Sequence, residues 1–150
     1  MFDDEDRILA AAMGDLGAIG GGIGGSRGGG RRGATFAARL LRKNVHEIEL
    51  TLAMPLEAAA DHVATVLAGA GQLLGAADTG PARARAVRAV VGGGFGNMNP
   101  VVITVSLTDQ GPRRTAATVR GAAKEGLIKQ RAGEKTAKLV ADRLAPRETA

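Results

Sequence analysis

Between Gly14 and Gly33, eleven of twenty residues are glycine, and no other feature restricts the possible folds as much. A glycine loses more backbone entropy on ordering than any other residue and brings no side chain to bury. The stretch therefore predicts a flexible linker, and it divides the chain. Residues 1–44 are expected to form a flexible Gly/Arg-rich arm with short helical pieces, residues 45–145 a single α+β domain, and residues 146–150 a tail. The helical pieces are Arg7–Met13, behind an acidic cluster that suits a helix N-terminus, and Ala34–Lys43, with basic residues near its end. On this reading residues 14–33 are dispensable for folding, and deleting residues 1–33 leaves the thermal midpoint almost unchanged.

The remainder is short of volume. With 29 alanines and 23 glycines in 150 residues, a core must be built from small aliphatic side chains. No cysteine is present, which removes disulfide scaffolds, thiolate zinc sites and cysteine nucleophiles together. The two histidines, His46 and His62, sit sixteen positions apart with no carboxylate pattern around them, so neither a metal site nor a cofactor is expected. The chain opens on acidic rather than basic residues and its glycine-rich stretch includes Asp15, which argues against an export signal or a membrane span and for a cytoplasmic protein.

From Val45 the texture becomes periodic. His46, Ile48, Leu50 and Leu52 alternate with Glu47, Glu49 and Thr51, as in a half-buried strand. Met54-Pro55-Leu56-Glu57 opens a helix with the stripe Ala59, Val63, Val66, Leu67 and Ala70, ended by Gly69 and Gly71. Gln72–Ala77 reads as a short strand, 78–81 as a turn, Ala82–Val91 as its partner and Gly92–Pro100 as a loop. Val101, Ile103, Val105 and Leu107 mark the strongest strand, which Asp109-Gln-Gly-Pro112 turns into a hairpin with Arg114–Ala123. Ala132–Leu144 closes the domain as an amphipathic helix with Ala132, Thr136, Leu139, Val140 and Leu144 on its apolar line.

Charge is segregated along the chain, which carries +5 in total. Asp3, Asp4, Glu5 and Asp6 open it, and Arg27 to Lys43 is wholly basic among its charged residues. Residues 45–78 hold acids and no Lys or Arg, and residues 79–147 hold thirteen basic residues against four acidic. Such a chain attracts itself as readily as it attracts an anionic partner. Binding to nucleic acid is therefore expected to be weak, nonspecific and salt-sensitive. Arg83 and Arg85 share one strand face and Arg88 the other, the three aromatics Phe2, Phe36 and Phe95 offer no stacking platform, and the Ser26–Gly33 arginine-glycine tract is short.

No catalytic residue is predicted. Gly20–Gly25 satisfies G-x-G-x-x-G by composition alone, without the strand before it or the helix after it that dinucleotide binding requires. Asp61 and His62 are adjacent on a helix and point about 100° apart. Glu47 and Glu49 occupy one strand face, the pattern of a solvated surface more than of an acid–base pair. An enzyme ranks fourth among the readings, after a ligand carrier, an interaction module and a nucleic-acid-associated protein.

The order strand, helix, four strands, helix predicts a largely antiparallel sheet with helices on one face. Across residues 45–145 this layout resembles the helix-grip superfamily of START and Bet v 1-like proteins; the alternative is a TATA-binding-protein-like or other two-layer sandwich. The resemblance implies a pocket for a lipid or other apolar small molecule. Ile48, Leu50, Leu52, Ile103, Val105 and Leu107 are the candidate wall, and Phe95 and Met98 of the glycine-rich loop the candidate gate. A protein-interaction module, with a homo-oligomer or another protein as partner and the arm as tether, is the first alternative, and weak nucleic-acid association the second.

Overall fold

The computed structural model describes residues 4–21, 41–77, 83–93, 99–125 and 130–145. Its elements are α1 (Glu5–Gly21), β1 (Arg42–Leu52), α2 (Leu56–Ala70), β2 (Gln72–Ala77), β3 (Ala84–Gly93), β4 (Asn99–Asp109), β5 (Thr115–Glu125) and α3 (Ala132–Leu144). The five strands form one sheet in the order β1-β5-β4-β3-β2, and every neighbouring pair is antiparallel. The first strand thus closes against the last, and β2 forms the opposite edge. The α+β class, the largely antiparallel sheet and the expected order of strand, helix, four strands and helix are all present.

Alternation decides which side chains face the helices. Val101, Ile103, Val105 and Leu107 of β4 project to one side with Val87, Ala89 and Val91 of β3 and Ala117, Val119 and Ala123 of β5, all buried. Onto this inner face α2 packs Leu56, Ala59, Val63 and Leu67, a spacing of three and four residues that keeps one stripe against the sheet. Helix α3 packs Ala137, Val140, Ala141 and Leu144 beside it. Leu139, predicted on the same line, faces away and is exposed.

Small residues let α3 sit close. A Cβ on Gly121 of β5 would collide with the carbonyl oxygen of Gly133, and one on Gly133 would stand 2.9 Å from that of Gly121, so backbone meets backbone at the start of the helix. The buried Glu125 fastens the same end: its Oε1 accepts the Ala132 N–H at 2.8 Å and its Oε2 accepts from Asn44 Nδ2 at 3.3 Å. A carboxylate at a helix N-terminus satisfies an otherwise unpaired donor and complements the helix dipole. Thr115 Oγ1 donates to Met54 O at 2.9 Å, pinning the connection from β1 to α2.

Several boundaries differ from the sequence reading. Strand β1 begins at Arg42 rather than Val45, because Arg42, Lys43 and Asn44 pair with Glu125, Lys124 and Ala123; the ladder holds residues that do not alternate. Pro55 is the N-cap of α2. Arg83 stands in the turn before β3, and β4 takes in Asn99 and Pro100. Edge strand β2 is bulged between Leu73 and Gly75, where Gly75 has φ +106°, a conformation that favours glycine.

The larger difference is α1. Instead of two turns leading into a linker, it is a helix of 17 residues that continues through Gly14, Gly17 and Gly20. Its first turns lie on the outer face of the sheet, where Leu9 is buried against Val102 and Ala122, with Ile8, Val45 and Val90 around them. Docking supplies the nucleus that an isolated glycine-containing helix lacks, after which each added residue gains one hydrogen bond. Glu5 and Leu9 have no exposed surface, so residues 4–13 are packed on the sheet and do not form a free arm. Residues 22–40 lie outside the described residues; of the helix expected at Ala34–Lys43, Arg42 and Lys43 belong instead to β1, where they pair with Glu125 and Lys124.

Candidate functional site

The predicted apolar wall is assembled on the inner face. Leu52, Ile103, Val105 and Leu107 are buried in the main core, and Ile48 and Leu50 are half-buried against it. Leu52 pairs with Thr115, Leu50 with Ala117 and Ile48 with Val119, so the three β1 residues continue the surface that β5 and β4 begin. The structure therefore brings six of the eight candidate residues to one face. Phe95 and Met98 lie outside the described residues.

The wall has two zones. At its centre Ile103 and Val105 are 0% exposed, with Ala59, Val63, Ala137 and Val140 equally covered, which means that the helices fill the space over them. Around it, Ile48, Leu50, Met54, Ala60, Ala64 and Val66 are only partly buried. They lie at the periphery of the core, Ile48 and Leu50 on β1, Ala60, Ala64 and Val66 on α2 and Met54 in the connection between the two. Much of the central contact is alanine and valine against alanine and valine, since Ala89, Ala117 and Ala123 of the sheet face helices that present Ala59, Ala137 and Ala141.

A separate open cleft of about 770 Å³ lies at the N-terminal end of α2, lined by Pro55, Leu56, Glu57, Arg83 and the β4–β5 turn Asp109 to Pro112. Its two carboxylates are engaged in structure. Glu57 Oε1 accepts from Arg85 Nη2 at 2.8 Å, Asp109 Oδ1 accepts the Gly111 N–H at 2.8 Å, and the Asp109 N–H donates to Arg83 O at 2.9 Å. Sequence periodicity gave no sign of this cleft, because its lining comes from three separate turns and helix ends.

The outer face carries the charge. Arg88 of β3, Arg120 and Lys124 of β5 and Lys43 of β1 all project to the α1 side, where the consecutive Asp4, Glu5 and Asp6 meet them. Arg88 Nη1 is 2.6 Å from Asp4 Oδ2, Arg120 Nε is 2.9 Å from Glu5 Oε1, Lys43 Nζ is 3.4 Å from Glu5 Oε2, and Lys124 Nζ is 3.1 Å from Asp6 Oδ1. Glu47 adds a further contact to Arg120 Nη1 at 2.8 Å. The hydrogen bond from Lys124, with Lys43 alongside, holds the Asp6 carboxyl below the usual carboxylate range against the opposing effect of burial. Glu5 and then Glu47 raise the Arg120 guanidinium above its ordinary value. Arg85 and Arg88 point to opposite faces, as alternation predicted, and each is matched by an acid on its own side, Glu57 and Asp4.

Among the described residues no three His, Asp or Glu side chains are grouped to hold a metal ion, and no helix is long and apolar enough to cross a membrane. His46 is half-buried on β1 opposite Gly121, and His62 half-buried on α2.

No protein-family model matches the chain, and no curated protein matches it. Among solved structures, a START superfamily protein from Mycobacterium smegmatis is similar over 67% of this chain and 93% of its own, with 12% identity and a TM-score of 0.39. The Zhui aromatase/cyclase from a Streptomyces species is similar over 69% and 84%, with 11% identity and a TM-score of 0.32. A Rhizobium loti protein is similar over 70% and 96%, with 16% identity and a TM-score of 0.37.

Proposed function

We propose that this domain binds a small apolar ligand between the inner face of the sheet and helices α2 and α3. The observation that carries the reading is the half-buried margin of Ile48, Leu50, Met54 and Val66 beside a continuous apolar wall. Half-buried aliphatic groups at the join of sheet and helix offer a ligand surface still to be removed from water, worth about 25 cal/mol per Å² of apolar area buried. The centre is closed, so a ligand larger than the margin enters by displacing α3 or α2. Many of the contacts there are between alanine and valine side chains, which lose less on separation than larger groups, although Leu67 and Leu144 of the helices also lie with Ile103 and Leu107 in the same core. Leu50 and Ile48 touch the ligand at the edge, and Ile103 and Val105 form the floor it reaches once the helices move.

The test uses the full chain and fluorescent fatty-acid and polycyclic aromatic probes. Saturable one-to-one binding, a raised melting temperature at saturation, and roughly tenfold weaker binding by Leu50→Lys with an unchanged circular dichroism spectrum are the expected results. Absence of saturable binding by every probe, or binding indifferent to Leu50→Lys, overturns the reading.

A further inference from the structure

We propose that the outer face of the sheet is a binding site for the phosphate backbone of a single-stranded nucleic acid, and that Asp4-Glu5-Asp6 is a built-in competitor occupying it. Among the described residues four cations share this face, and their spacing follows from strand register. Thr104 pairs with Arg88 on one side and with Arg120 on the other, so the two arginines stand on one row, two strand spacings or about 10 Å apart at Cα. Lys43 and Lys124 are directly paired and form a second row four residues, about 13 Å, along the strands. Three consecutive carboxylates satisfy both rows at once: Asp4 meets Arg88, Glu5 meets Arg120 and Lys43, and Asp6 meets Lys124 and Lys43.

That arrangement sets three successive carboxylates, at the first turn of a helix, among fixed cations, and a nucleic-acid backbone likewise presents successive anions. Without α1 the face would hold Lys43, Arg88, Arg120 and Lys124 against Glu47 and Glu49. A flat sheet face has no helix or ribbon to enter a duplex groove, but it can carry an extended strand, held by phosphate contacts. Between the cations lie Val45, Val102 and Ala122, side chains too short to anchor in a bilayer, where interfacial segments insert Trp, Phe or Leu. The chain has no Trp or Tyr, and among the described residues this face offers no ring for base stacking, so binding is expected to be indifferent to base sequence.

The experiment titrates a labelled oligothymidylate of about 20 nucleotides against the full chain from about 50 to 200 mM salt. Wild type binds weakly. D4N/E5Q/D6N, and separately Leu9→Asp, which unseats α1 with its acids intact, bind at least tenfold more tightly at low salt. Their log–log salt slope is steeper by about 3, from four phosphate contacts at about 0.7 each. Adding Arg88→Ala and Arg120→Ala abolishes the gain. The control E57Q/D61N/D142N changes the formal charge equally, away from this face, and leaves binding near wild type. Saturating oligonucleotide also speeds amide exchange in α1 of the wild-type chain, a measurement that requires no substitution. An equal gain in the control, a gain that survives loss of both arginines, α1 exchange unmoved by oligonucleotide, or binding to phosphatidylserine vesicles without oligonucleotide binding each overturns the proposal.

Discussion

Arg120 on β5 and Glu5 at the start of α1, 115 residues apart, form a two-point ion pair, Nε to Oε1 at 2.9 Å and Nη2 to Oε2 at 3.2 Å. Glu5 has no solvent exposure. Removing one partner of a buried pair costs about 3–5 kcal/mol because the other charge stays desolvated. Here the cost is capped by the free energy of α1 docking, since the helix can leave and hydrate Glu5. Arg120→Ala is therefore expected to release α1, so that its amides lose hydrogen-exchange protection while β4 and β5 keep theirs. Replacing both partners by leucine should restore much of the protection; if Arg120→Ala leaves α1 protected, the pair does not hold the helix.

Burial ranks three substitutions on the two sheet faces. Ile103 is fully covered, Leu50 half-buried and Glu49 exposed. Ile103→Ala is expected to cost about 3–4 kcal/mol in urea unfolding, Leu50→Ala about 1–2 kcal/mol because part of its surface is already in water, and Glu49→Ala less than about 0.5 kcal/mol. A damaging Glu49→Ala would mean a register one residue away from the one described.

The approach of α3 depends on a missing side chain. Because a Cβ on Gly121 would collide with the Gly133 carbonyl, and backbone cannot swing aside as a side chain tip can, Gly121→Ala should push the helix start off β5. The expected destabilisation is about 2–3 kcal/mol, with exchange speeding first at Ala132 and Gly133. Gly69→Ala is the control: nothing stands within 4 Å of its Cβ position, and as a helix substitution it should be neutral or stabilising. Equal effects at both sites would remove close packing as the cause.

Acid should loosen α1. The Asp6 carboxyl titrates below its unfolded value of 3.8 because Lys124 and Lys43 favour the charged form. A depressed folded pKa gives stability that is complete well above 3.8 and is lost as pH falls through the folded value. Asp6 is about half exposed, so solvent screens the effect. Thermal midpoints measured from pH 6 down to pH 3 should fall more steeply in wild type than in Asp6→Asn. Parallel curves would show that Asp6 does not contribute to this acid dependence.

Strand β4 was legible because Val101, Ile103, Val105 and Leu107 alternate with shorter or polar neighbours, and a period of two admits few other structures. The candidate wall followed from the same alternation in β1 and β4, and the observed register joins the two through β5. Whether that wall is open or covered was not legible, since it depends on how far α2 and α3 close over it. Leu139 shows the limit of periodicity on α3: it stands one residue before the buried Val140 yet is exposed, because the short Ala137 and Ala141 bring the helix down on their own side.

Local periodicity and turn chemistry by themselves determined the order of the domain's strands and helices, the face that each strand turns to the core, and the division of Arg85 from Arg88. These depend on near neighbours in the chain. Only the tertiary structure decided the fate of the N-terminal segment. A glycine-rich stretch behind four acidic residues and a short apolar patch suits a free arm as long as nothing complementary stands nearby. Strand pairing gathers Lys43, Arg88, Arg120 and Lys124 from three strands onto one surface around Val102 and Ala122, and against that surface the first turns of the helix Glu5–Gly21 are docked.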